Sequence, residues 1–301
     1  MKKAIKTLLI IAAICGGVGI LMLGIGVATG ATMGEFAHET QQNSLLRRMH
    51  ISFGDWCDEE DECEASSGQI RREYEAGQVE DLEVTLNAGE LDILNSDSDK
   101  IVVEIAGHTS EKDIALKDGT LSVENRSYKG IHTEGVHMWI YLPSDMKLKD
   151  LDLTVHAGTV SIETDQIMAE HAEIEVDAGE FTAAGSIYVT GDTTLTVGAG
   201  YARLDYLSTG TMDVECGMGQ TDLTLDAQDD VSVSCGMGEV NLKLYGTEES
   251  FNYDLECGVG EMLVGNSSYS GLGSSKTIAN GADKELDAEC GVGSITIQFV
   301  K

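Results

Sequence analysis

Residues 231–244 read VSVSCGMGEVNLKL, and the way this stretch alternates decides the fold. Val231, Val233 and Cys235 share one face of an extended chain, with Ser232 and Ser234 on the other. After the break, Val240, Leu242 and Leu244 oppose Asn241 and Lys243. Two half-buried strands therefore meet at the corner Cys235-Gly236-Met237-Gly238.

The same corner recurs eight times, each as an apolar residue, two variable residues and a glycine: Leu86 to Gly89, Val155 to Gly158, Val176 to Gly179, Val197 to Gly200, Cys216 to Gly219, Cys235 to Gly238, Cys257 to Gly260 and Cys290 to Gly293. The second position holds Asn87, His156, Asp177, Gly198, Gly217, Gly236, Gly258 or Gly291. These residue types tolerate a left-handed backbone, so a positive φ is expected there in every copy. The invariant glycine implies that a side chain would meet a disallowed conformation or a neighbouring strand.

From Gly158 the corner glycines are 21, 21, 19, 19, 22 and 33 residues apart, whereas Gly89 and Gly158 are 69 apart. A unit of this size holds two short strands, the corner and one looser polar turn such as Asp226 to Asp230. Successive units stack like with like, each strand pairing in parallel with its equivalent at about 4.8 Å. The expected fold is all-β, a parallel β-solenoid of about 20-residue coils with an aliphatic interior. Insertions in the long gaps, Ile101 to Leu142 and Glu261 to Leu286, are expected to form side hairpins, loops or caps. An antiparallel β-sandwich is the alternative, since alternating strands look alike in both; the shared grammar of the corners favours the solenoid.

Residues 1–29 form a separate module. Lys2, Lys3 and Lys6 precede an uncharged apolar run over residues 8–27, long enough to cross a lipid bilayer. Lysines before the span and none close after it place the N-terminus in the cytoplasm and the body outside, as a single-pass cell-membrane protein. A signal peptide cleaved near Ala28 or Gly30 is the competing reading. Cys15 lies within the apolar run and is read as a membrane-embedded residue. Residues 30–69 read as an acidic stalk, and residues 70–301 as the strand domain.

Beyond the apolar segment and its three lysines, 16 basic residues face 52 acidic ones, a formal charge of −36. Such a surface disfavours nucleic acid, and disfavours anionic envelope polymers unless divalent cations bridge them. It also keeps an edge-rich β protein soluble.

No constellation carries clear chemistry. Cys216, Cys235, Cys257 and Cys290 occupy the position that Leu86, Val155, Val176 and Val197 fill elsewhere, so they read as a buried column of free thiols. Cys57 and Cys63 lie in the stalk, where a local disulfide is one reading and a metal site another. His132, Glu134 and His137 lack zinc-protease spacing and read as solvent-exposed, while His156 sits at a corner, where its role is backbone geometry. Asn95, Asp97 and Asp99 begin like a calcium loop but lack its glycine and closing glutamate, so they read as a polar turn. Gly217-Met218-Gly219 echoes part of a dinucleotide fingerprint without the helix that would bind the pyrophosphate. Asp152, Glu163, Glu175 and Asp222 are outward carboxylates of a kind that serves glycosidases, but in so acidic a chain such pairs carry little information. No catalytic, metal or cofactor site is assigned.

The corners, the stretches LDLTVHAGTVSIE, VSVSCGMGEVNLKL and LDAECGVGSITIQF, and the single preceding span resemble the bacterial putative adhesin family, a domain family of unknown function, over residues 70–301. The resemblance implies a membrane-tethered β-solenoid displayed at the cell envelope, in a family some of whose members look associated with envelope stress, and it brings no catalytic residues. The expected function is a non-enzymatic, adhesin-like surface scaffold that meets an envelope component or membrane protein. Alternatives are a regulatory partner of an envelope-stress sensor and a solenoid carbohydrate-active enzyme.

Overall fold

The computed structural model of the chain describes residues 66–125, 135–270 and 273–301. The segment read as an anchor, residues 1–29, nearly all of the segment read as a stalk, and Cys15, Cys57, Cys63, His132 and Glu134 lie outside the described residues. The first strand, β1 (Ser66–Glu75), begins a few residues before the expected start of the strand domain.

Alternation becomes burial at the corner strands. In the strand Val231–Cys235, the valines and the cysteine are at most 2% exposed while Ser232 and Ser234 face solvent. Each such inward aliphatic contributes about 1.5–3 kcal/mol by leaving water. The sole proline, Pro143, cannot donate to a ladder and falls just after a strand, outside every sheet.

Strands pair in parallel with their counterparts in the next coil, so the sandwich alternative does not form. The N-terminal part contains β2 (Asp81–Leu86), β3 (Glu90–Asn95), β4 (Lys100–Thr109), β5 (Ile114–Lys117), β6 (Thr120–Glu124) and β7 (His137–Leu142). The middle contains β8 (Lys147–Val155), β9 (Thr159–Ile162), β10 (Gln166–Val176), β11 (Glu180–Val189), β12 (Thr193–Val197), β13 (Tyr201–Thr209), β14 (Met212–Cys216), β15 (Gln220–Ala227), β16 (Val231–Cys235) and β17 (Glu239–Tyr245). The C-terminal part contains β18 (Phe251–Cys257), β19 (Glu261–Val264), β20 (Ser267–Ser270), β21 (Ser274–Ile278), β22 (Lys284–Cys290) and β23 (Ser294–Val300). Strands β8, β10, β12, β14 and β16 build one wall, and β9, β11, β13, β15 and β17 a second, making a solenoid-like, nearly closed sheet rich in parallel pairs.

Three expectations need correction. First, the middle coils have three flanks, not two. The second halves of β11 and β13 pair beyond a register shift, Ser186 with Tyr206 and Ile187 with Leu207, and Gln166–Ala169 of β10 pairs with Ser186–Val189. The turns into and out of this flank carry glycines that the corner pattern did not include: a Cβ on Gly191 would lie 2.7 Å from the Glu170 carbonyl oxygen, and one on Gly210 would lie 2.5 Å from that of Gly191.

Second, chain order and spatial order differ at both ends. Strands β22 and β23 lie between β16–β17 and β18–β19, so Cys235 stands beside Cys290, and Cys290 beside Cys257. At the other end β2–β3 lies between β6–β7 and β8–β9. The long N-terminal gap thus holds a complete coil, β6–β7, besides its hairpin strands. Antiparallel strands close the ends: β4 on β7, β1 on β4, β5 on β6, β21 on β18 and β20 on β19. Covering the outermost coils in this way masks edges that would otherwise template aggregation.

Third, none of the second corner positions has a left-handed φ; among the described non-glycine residues only Asp118 does. The residue set there serves contact between coils. Asn87 bonds Asn125 through both its backbone amide and its side chain, at 2.6 and 2.8 Å, and His156 Nδ1 meets Asp177 at 2.6 Å. In later coils the position is glycine because a Cβ on Gly217 would sit 2.8 Å from the Gly198 carbonyl oxygen.

Candidate functional site

The corner glycines form one column. A Cβ on Gly179 would approach the Gly158 carbonyl oxygen to 2.7 Å, and Gly89, Gly158, Gly200, Gly219, Gly238, Gly293 and Gly260 are tighter still against the preceding coil. Those carbonyls are engaged already: Tyr201 N donates to Gly179 O at 2.9 Å and Gln220 N to Gly200 O at 3.0 Å. The edge carries an open hollow of about 1230 Å³ whose floor is this bonded glycine backbone, with the exposed Val259 and Val292 and the half-buried Met218 and Met237 at its lip. Its backbone amides and carbonyls serve the coils and leave little for a ligand. The Gly217-Met218-Gly219 corner leads into β15, so no helix N-terminus stands behind it.

Cys216, Cys235, Cys290 and Cys257 stack in that spatial order, free and at most 3% exposed. The thiols of Cys216, Cys257 and Cys290 donate to the carbonyls of their own corner glycines at 3.3, 3.2 and 3.2 Å. Burial pushes Cys290 up to about 11, and the bond to Cys216 together with burial pushes Cys235 up. The bond with Cys235 lowers Cys216 to about 7, so it is burial that keeps reagents from the four thiols, and these cysteines pack and do not react. Peptide mapping after maleimide treatment of the native chain should find all four unmodified, and all four modified once denaturant is added; fast native labelling of any of them would contradict this packing.

Two of the outer faces differ in chemistry. The face of β2, β8, β10, β12, β14, β16, β22 and β18 carries a register column running Glu83, Asp152, Glu173, Thr194, Asp213, Ser232, Asp287 and Asp254, with no outward aromatic. Burial, then Glu173, Glu83 and Glu175, hold the Asp152 carboxyl above its ordinary range; burial, Asp254 and Glu256 do the same for Asp287. Asp152→Asn should therefore stabilise the fold at neutral pH by roughly 0.5 kcal/mol, the size of one cross-strand like-charge contact. A carboxyl raised in the native state takes up its proton first there, so the repulsion fades as pH falls through that raised value. Urea midpoints at neutral and acidic pH test this: a gain that persists unchanged in acid, or none at neutral pH, refutes it.

The second face, over β11, β13, β15, β17 and β23, is mixed. Asp222 accepts from Tyr201 Oη at 2.9 Å, Asn241 Nδ2 at 2.9 Å and Gln220 Nε2 at 3.1 Å. Burial raises its pKa, but these bonds and nearby Arg203 outweigh burial and hold the carboxyl below its ordinary range. Arg203 Nε donates to Asp205 at 2.8 Å. Beside this network lies a depression of about 380 Å³ lined by Arg203, Asp205, Asp222, Thr224, Asn241, Lys243, Thr296 and Gln298, floored by Leu204, Leu223 and Leu242. Beyond the register shift, on the third flank, Tyr188 and Tyr206 form with Tyr245 at the end of β17 a chain of rings with centroids 5.8 and 5.9 Å apart. Sequence reasoning passed over this face. Its signal was present in the outward tyrosines Tyr201 and Tyr245 of an aromatic-poor chain, whereas Tyr206 reaches the surface through a register shift that alternation does not reveal.

The remaining sequence candidates disperse. Asp152 and Glu175 share the acidic face, Glu163 follows β9, and Asp222 stands on the mixed face, so the four carboxylates do not converge. His137 is not simply solvent-exposed: it stacks on Trp139 at 3.8 Å and meets Asp92 at 2.7 Å. His156 contributes a side-chain contact with Asp177 rather than a special backbone, and His171 Nδ1 meets Asp192 in the same coil-to-coil manner at 2.7 Å. Asn95 closes β3, where its side chain accepts the Asp165 amide, and Ser96 to Asp99 form the turn into β4.

Coils of this kind, with order spent on packing and contact surfaces left on the outside, define a β-solenoid-like scaffold. The chain belongs to the Toastrack DUF4097 family, whose model matches residues 79–270. Among solved structures it is similar to a putative adhesin from Bacteroides fragilis, with 15% identity over 77% of this chain and 98% of that one and a TM-score of 0.43. It is also similar to a putative adhesin from Parabacteroides distasonis, with 12% identity, 77% and 97% coverage and a TM-score of 0.42. A putative cell adhesion protein from Clostridium sporogenes matches with 14% identity, 77% and 99% coverage and a TM-score of 0.29. No curated protein matches the chain.

Proposed function

We propose that the protein is a non-enzymatic surface module of the cell envelope, held in the membrane by residues 8–27 with its strand domain outside, that engages another envelope component through an outer face. The observation that carries this reading is the division of labour in the coils. Inward positions are given to packing, corner positions to bonds between coils, and outward positions to faces of unlike chemistry. The names of the similar structures agree with a contact role. A regulatory reading, in which the partner is a membrane stress sensor, uses the same faces.

The test is photo-crosslinking in intact cells with the full chain, placing the reactive group at Gln298 on the mixed face or at Ser234 on the acidic face. Capture of an envelope component from outside the membrane supports the proposal, and capture of a sensor selects its regulatory form. No adduct at either position, or turnover of an envelope polysaccharide by the purified full chain, overturns it.

A further inference from the structure

The mixed face has a ligand chemistry of its own. Resting on the envelope-surface reading above, we infer that the depression on this face binds an uncharged, extended β-linked glycan lying along the solenoid axis.

The polar groups argue for the ligand. Thr224, Lys243, Thr296 and Gln298 line the depression with no side-chain hydrogen bond or ion pair of their own, while Asn241 and Asp222 bond to each other. Two hydroxyls and an amide can both donate and accept, a pattern that suits sugar hydroxyls, which also do both. An anion would face Asp205 and Asp222, and a cation would face Arg203 and Lys243, so a charged ligand meets repulsion either way. An extended peptide would need a free strand edge. The strands beneath are all interior: β15 is paired with β13 and β17, and β23 with β17 and β19.

The geometry argues for the chain form. Thr224, Lys243 and Gln298 occupy one register row, and Asp222, Asn241 and Thr296 the next, so equivalent groups repeat along the axis once per strand, at about 4.8 Å. An extended β-linked chain advances by a comparable step per sugar, whereas α-linked chains curve away. Tyr245 is the next outward residue of β17 beyond the Lys243 row and is 37% exposed, and Tyr188 ends the ring chain at 40%, leaving apolar ring surface for the C–H face of a sugar.

The test is isothermal titration of the full chain in detergent micelles with chitohexaose and cellohexaose. The variants are Thr296→Val with Gln298→Ala, chosen because neither side chain has an internal partner whose loss would disturb folding, and Tyr245→Ala. Ser232→Ala on the acidic face is the control. The expected result is saturable binding of at least one hexamer, weakened by about tenfold or more in the double variant and in Tyr245→Ala but unchanged in the control. No binding of either glycan, or equal binding by the depression variants, overturns the inference and leaves the envelope-surface reading standing if crosslinking still captures a partner. Binding accompanied by hydrolysis keeps the glycan site and overturns the non-enzymatic reading.

Discussion

Gly219→Ala should cost the domain about 3 kcal/mol or more, at the upper end of what overpacking a tight interior costs. The added methyl would lie 2.7 Å from Val197 Cγ1 and closer still to the Gly200 carbonyl oxygen. Neither neighbour can give way cheaply. Val197 is fully buried in the next coil, and the Gly200 oxygen accepts the Gln220 amide at 3.0 Å. Backbone conformation adds nothing to this cost, because Gly219 does not adopt a left-handed φ; Gly89 and Gly158 do, both at +122°, so alanine there carries strain besides the clash. The control is Gly77→Ala, where nothing lies within 4 Å, and a change within roughly 0.5 kcal/mol is expected. Urea midpoints compare the two. Equal midpoints would mean that the corner glycines are not needed for coils to approach each other.

Removing residues 284–301 should unfold far more than the segment removed. In a solenoid whose coils stack in chain order, loss of the last repeat exposes one interface and leaves the others standing. Here the last strands, β22 and β23, lie inside the stack, and their removal parts β18–β19 from β16–β17. Leu286, Ile295 and Ile297 are fully buried, and each forfeits about 1.5–3 kcal/mol on exposure. The faces of β16, β17, β18 and β19 that they cover add a similar amount, so the total is on the order of 10 kcal/mol, comparable with the whole stability of a typical domain. Ile295→Ala, a milder form of the same lesion, should cost about 2–5 kcal/mol. Amide exchange in the intact chain supplies a second readout: β18 should exchange only with global opening, as β14 does. Early exchange of β18, or a truncated chain with an unchanged urea midpoint, would show that the inserted strands do not bind the end of the stack together.

Both results turn on where the sequence was informative and where it was silent. Val231, Val233 and Cys235 announce a strand with one dry face because the side-chain period of an extended chain is two, a property local to five residues. The corner grammar carries further, since eight copies of one solution imply one repeated environment. It named the glycine but only in part its cause: the cause at Gly219 is an oxygen one coil away, and no local rule distinguishes that from a φ requirement. The second corner position misled for the same reason, since Asn87 and His156 were chosen for partners in neighbouring coils.

Local pattern determined the strands, the corners and the parallel, solenoid-like stacking, because each depends on residues a few positions apart. Tertiary structure alone decided the order of the end coils, the third flank with Tyr188 and Tyr206 on it, and the gathering of Arg203, Asp222, Lys243 and Gln298 around one depression. Identical corners fit one another in any order, so the sequence of each coil is compatible with several neighbours. What selects among them is the summed burial and edge coverage of the finished stack, a property that no single coil possesses.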